Sequence, residues 1–141
     1  MFKKIFKTKK NTNVNDKNIL IAALLIHAAK MDENYTDIER KIIEKALIDL
    51  NNITPEQAIE LIKRAEKKEE ASNQIVEFTK EIKKYSMEYR LKIIEVIWKI
   101  VYSDGTSDSF ESNLIRRVCG LLYVSDKDNG IIKTKIQNLP K

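Results

Sequence analysis

The sequence predicts an all-α fold: a pseudo-twofold helical bundle of about seven helices. Three observations carry this. Three glycines and two prolines in 141 residues leave little material for the turns of a many-stranded protein. The apolar residues recur at helical spacing, and no run alternates with the strand period of two. One pattern, helix–acidic corner–helix–turn–helix, is written twice along the chain. Hydrophobic residues make up 43% and charged residues 33%, a globular balance in a chain long enough to bury a core. We expect a basic arm and linker over residues 1–16 and one helical domain over 17–139.

The first helix should span about 17–30. Its run "ILIAALLIHAA" (19–29) is apolar on nearly every side, so it belongs at the centre of the core. Its eleven residues fall well short of the roughly 20 that cross a bilayer. Thr36 and Glu39 form a capping box for a helix of about 37–50, with Ile38, Ile42, Ile43, Ala46, Leu47 and Leu50 inward. Thr54, Pro55 and Gln57 open the next helix, which reaches about 69. "KKEEAS" then reads as a charged break or a continuation. Ile75, Val76, Phe78, Thr79 and Ile82 mark a short helix of about 72–84.

Ser86 caps a helix of about 87–103 with Leu91, Ile94, Ile97, Trp98 and Val101 on one face. Asp108 and Glu111 repeat the capping box before a helix of about 109–122, whose end Gly120 weakens. Ser125 caps a last helix of about 126–138. His27 and Trp98 both sit in apolar stripes and read as packing residues. Cys119 reads as an inert buried thiol, and "KRAEKKEE" (63–70) as a solvated face of alternating charge.

Composition excludes several classes. One cysteine allows no internal disulfide and fits a reducing compartment. One His and one Cys cannot build a Cys/His metal cluster. There is no Gly-rich phosphate loop. The net charge of +5 is concentrated: residues 1–17 hold six lysines and one aspartate, and the remainder is balanced. No nucleic-acid partner is expected, because such a binder spreads its basic residues over a folded face. Phe2, Lys3, Lys4, Phe6 and Lys7 in the arm suit peripheral contact with an anionic membrane. Two aromatic anchors bury little area, so this contact would be weak.

The repeat holds residue by residue. "KMDENYTDIE" (30–39) and "YSDGTSDSFE" (102–111) both carry Asp at the third and Glu at the tenth position. At the same offset Leu25 meets Ile97, Ile26 meets Trp98, Ile38 meets Phe110 and Ile42 meets Leu114. Leu20, Ala23 and His27 are replaced by Lys92, Glu95 and Lys99, so the helix of the second copy keeps a solvated face.

Each corner Asp follows a helix C-terminus, where the helix dipole disfavours a carboxylate by up to about 1 kcal/mol. The free N–H groups of the next helix offset this, or a cation does. If the pseudo-twofold brings the corners together, Asp32, Glu39, Asp104 and Glu111 converge into an all-oxygen set. Such a set suits a hard divalent cation, Ca²⁺, Mg²⁺ or Mn²⁺. The competing readings are purely structural corners, with Glu as cap and Asp closing its own turn, and a polar docking surface for a protein. Neither corner has the spacing or the glycine of an EF-hand loop.

These motifs resemble a known family. Residues 19 to about 128 look like the TerB-like domain, the tellurite-resistance and DnaJ-like co-chaperone N-terminal helical superfamily. The two corners are similar to its doubled acidic motif. "SMEYRLKIIEVIWKIVYSDG" is similar to its S-x-E-x-R…W signature, and "LLYVSDKD" to its L-G-hydrophobic-S/T start of a last helix. Glu33, Tyr35 and Ser107 depart from the family pattern. The resemblance implies an all-helical fold, an acidic patch proposed to bind metal, and a role in tellurite or stress resistance near the membrane, without enzymatic activity. The expectation is therefore a non-enzymatic, cytoplasmic accessory or scaffolding domain, peripheral on the inner membrane, with a protein partner. The alternative is a metal-dependent hydrolase using the four corner carboxylates.

Overall fold

The computed structural model describes residues 17–32, 35–72, 74–104 and 109–139, without the side chains of Asp32, Asp104 and residues 109–112. These residues form seven α-helices and no strand. They are α1 (17–29), α2 (Asp37–Asn51), α3 (Pro55–Ala71), α4 (Ile75–Ile82), α5 (Met87–Val101), α6 (Ser109–Leu121) and α7 (Asp126–Gln137). Short 3-10 turns, Lys30–Asp32 and Tyr102–Asp104, follow α1 and α5. Helix, 3-10 turn, helix, tight turn, helix thus occurs on each side of α4.

The caps read from the sequence fix the helix starts. Thr36 Oγ1 accepts from Glu39 N at 3.1 Å, and Thr54 Oγ1 accepts from Gln57 N at 3.1 Å; both boxes are closed by the reciprocal side chain. Ser86 and Ser125 accept from Tyr89 N and Asp128 N. Each such cap is worth about 1 kcal/mol. The expected cap at Asp108 lies outside the described residues.

α1 is buried all round. Each residue from Ile21 to Ile26 has 0% exposure, as a helix without a polar face requires. α5 packs on α2, α6 and α7, α2 on α3, and α4 on α6, all around one apolar core. Trp98 is a packing residue. Its indole N–H donates to Asn129 Oδ1 at 2.9 Å, and its ring stacks on Tyr102 with centroids 5.6 Å apart. Cys119 is buried, and burial, with Asp126 nearby, pushes its thiol up to about 12. It is an unreactive core thiol at neutral pH.

The structure corrects two expectations, the inward place of Ile38 and the solvated face of segment 63–70. Ile38 is 63% exposed, because Glu39 takes the inward position at that turn to close the capping box. The short helix marked by Ile75, Val76, Phe78, Thr79 and Ile82 is α4; all five lie on it, and it buries all but Val76. Of the two readings of "KKEEAS", continuation holds for "KKEEA", since α3 runs through it to Ala71. The charged segment 63–70 is not simply a solvated face. Glu69 is 6% exposed, and Glu66 is half-buried against Arg40.

Candidate acidic-corner site

The first corner leaves α1 through Lys30–Asp32 and enters α2 at Thr36. Glu39 is its described carboxylate and is 5% exposed. Its Oε1 accepts from Thr36 N at 2.8 Å and from Thr36 Oγ1 at 3.1 Å. Glu39 is therefore a structural cap whatever else it does.

Around this corner, basic side chains are held by acidic ones from α3. Lys30 Nζ donates to Glu69 Oε1 at 2.8 Å, and His27 Nδ1 lies 3.1 Å from Glu69 Oε2. Arg40 pairs with Glu66 at 2.5 Å and reaches the Tyr35 hydroxyl at 3.5 Å. Burial raises the pKa of Glu69, but the Lys30 and His27 contacts outweigh it and hold the carboxyl below its ordinary range. Burial likewise pushes the Tyr35 hydroxyl up to about 12, against the opposing contact with Arg40. The last two turns of α3 thus clamp both sides of the corner.

Sequence reasoning missed this clamp, although a signal was present. Ala58, Ile62, Ala65 and Glu69 follow one another at helical spacing, and all four are buried. A carboxylate at an apolar register position needs a buried partner. His27, in the apolar stripe of α1, is that partner.

The second corner leaves α5 through Tyr102–Asp104, where Ser103 Oγ donates to Ile100 O at 2.7 Å. The side chains of Asp32, Asp104 and Glu111 lie outside the described residues, so of the four expected ligands the structure places Glu39 alone. Among the described residues no three His, Cys, Asp or Glu side chains come together as a metal cluster. The chemistry of the expected set, oxygen donors only, fits a hard cation. Phe2, Lys3, Lys4, Phe6 and Lys7 of the arm also lie outside the described residues. No described helix is long and apolar enough to cross a membrane.

The residues of "SMEYR" have visible roles. Ser86 caps α5. Arg90 donates through Nε to Tyr85 O at 3.0 Å and through Nη1 to Leu122 O at 2.6 Å. One guanidinium thus ties the start of α5 to the end of α6, a planar two-bond contact that Lys cannot copy. In "LLYVSDKD", Tyr123 makes the turn into α7 with φ of 58°, and Ser125 caps the helix.

The family model for TerB, tellurite resistance protein TerB, matches residues 18–134. The chain belongs to the TerB family. The matched span starts in α1 and ends in α7, so it takes in both corners and the Arg90 contact. Comparison with curated proteins and with solved structures found no match.

Proposed function

We propose that this TerB-family chain is a non-enzymatic accessory domain, related to tellurite or stress resistance, whose two acidic corners bind a divalent cation or a basic protein partner. The observation that carries the reading is the match over residues 18–134, which includes both copies of the Asp-to-Glu corner. Asp32, Glu39, Asp104 and Glu111 would hold the ion. It would neutralise carboxylates gathered at helix ends and lock the two halves of the chain together. The pseudo-twofold relation between the copies is part of this proposal.

The non-enzymatic reading has its own support. The single His is engaged with Glu69, and the single Cys is buried with a thiol that stays protonated at neutral pH. Two common catalytic side chains are thereby committed to the core. The domain works in the cytoplasm, and its basic arm brings it to the anionic inner face of the membrane.

Calorimetric titration with Ca²⁺, Mg²⁺ and Mn²⁺ tests the cation reading, with an Asp32→Asn/Asp104→Asn variant alongside. Saturable heat that the variant loses is the expected result. Absence of heat with all three ions moves the corners to the protein-partner reading. Metal-stimulated hydrolysis of a phosphoester, lost in the variant, would favour a hydrolase instead.

A further inference from the structure

α2 and α5 pack against each other and leave a half-open groove of about 500 Å³. Its floor is apolar: Ile42, Ala46 and Leu50 from α2, and Val96 from α5. The α2 residues stand four apart and make a ridge along the helix axis. Ile38 extends this ridge by a turn and is 63% exposed. From Ile38 to Leu50 the ridge runs about 18 Å at the α-helical rise.

The rim is charged. Lys45 and Asp49 stand on the α2 side, and Lys92, Glu95 and Lys99 on the α5 side. Glu95 is already held by Lys135 of α7 at 2.9 Å. Lys92 reaches only the exposed Glu88, at 3.7 Å. Lys45 and Lys99, on opposite sides, have no ion-pair partner among the described residues, and neither does Asp49. The balance available to a ligand is therefore cationic on the α5 flank, through Lys92 and Lys99, while Lys45 and Asp49 offset each other on the α2 flank.

The sequence sets this face apart. Lys92, Glu95 and Lys99 occupy the positions that α1 fills with Leu20, Ala23 and His27. On α1 that face is covered by the fold: Ala23 has 0% exposure and His27 meets Glu69 and Phe78. On α5 it is left open and ringed with charge.

We propose that the α2–α5 groove docks an amphipathic helix of a protein partner, apolar at i, i+3, i+4 and i+7 and carrying Asp or Glu on the flank that meets α5. The 18 Å ridge matches a helix of about twelve residues laid along it. A small amphiphile fits less well, because ligand pockets cover about 70–90% of their ligand and this groove is open along one side. A flat bilayer does not reach a floor recessed between two helices. The groove is separate from the acidic corners, and the proposal stands whether or not they hold a cation.

Fluorescence anisotropy with the full chain tests it. The probes are a panel of synthetic helices of about fourteen residues, with the Leu stripe in three registers and Glu on the flank that meets α5. A matching panel carries Lys for each Glu. The proposal expects saturable binding by at least one Glu helix and none by its Lys twin. Lys92→Glu/Lys99→Glu should weaken the Glu helix about tenfold or more and accept the Lys twin. Both lysines are exposed, so this variant keeps its fold, and an unchanged melting temperature checks that. Amide shifts on bound protein should map to α2 and α5. Failure of the whole Glu panel overturns the proposal. So do binding unaffected by the charge reversal, and shifts that map elsewhere.

Discussion

His27 Nδ1 lies 3.1 Å from Glu69 Oε2, and this contact joins the central helix α1 to the last turns of α3. Lys30 takes the other oxygen of the same carboxylate at 2.8 Å. One buried acid therefore holds both the end of α1 and the start of the first acidic corner. Glu69→Ala should destabilise the chain by about 2–3 kcal/mol, since it strands two partners at a mostly buried site. Glu70→Ala, one residue on and exposed, should stay within about 0.5 kcal/mol. Urea denaturation of the two variants gives the comparison.

The same carboxylate sets a pH dependence. Its folded pKa lies below the unfolded value of 4.5. The unfolded chain binds the proton first as pH falls, so the contribution is fully present above 4.5 and is lost on passing down through the folded value. The stability gap between wild type and Glu69→Gln should be constant near neutrality and shrink below pH 4.5. A gap that widens in acid contradicts the assignment.

Arg90 should tolerate no conservative replacement. Arg90→Ala and Arg90→Lys both lose the pair of bonds to Tyr85 O and Leu122 O and should cost about 1–2 kcal/mol each. Rescue by Lys would show that charge alone matters there. Thermal melts of the two variants decide.

Tyr123 is the opposite case, a residue that holds the chain back. Its φ of 58° is left-handed, and its side chain is 66% exposed, so burial offsets little of the strain. The family signature that "LLYVSDKD" resembles has Gly at this position. Tyr123→Gly should stabilise by about 0.5–1 kcal/mol, the strain relieved less the added freedom of the unfolded chain. A destabilised variant would mean that the exposed ring makes contacts of value.

The arm makes a prediction of its own. The full chain should sediment with vesicles rich in anionic lipid, and deletion of residues 1–16 should abolish this. High salt should release the protein, because the attraction is largely electrostatic. Binding retained by the deletion variant would move the membrane contact to the helical domain.

Helix positions and caps were legible because they depend on local chemistry. Thr36 with Glu39, Thr54 with Gln57, Ser86 and Ser125 announce themselves within four residues. The central place of α1 was legible because a helix with no polar face has one place to go. The α3 clamp was not read, because Glu69 sits in a lysine-rich stretch that looks solvated and its partner lies 42 residues away. Ile38 misled for a related reason: period places it with Ile42, but the cap beside it, Glu39, takes the inward position. The four-carboxylate set depends on long-range placement, which local pattern does not supply.

On the cation reading of the proposed function, the doubled corner is an ion site. The most direct test is an amide NMR titration of the full chain with Ca²⁺, repeated with Mg²⁺. The account predicts saturable shifts confined to residues 30–39 and 102–111, absent from the Asp32→Asn/Asp104→Asn variant. No saturable shift with either ion, or shifts outside both corners that the variant retains, would contradict it.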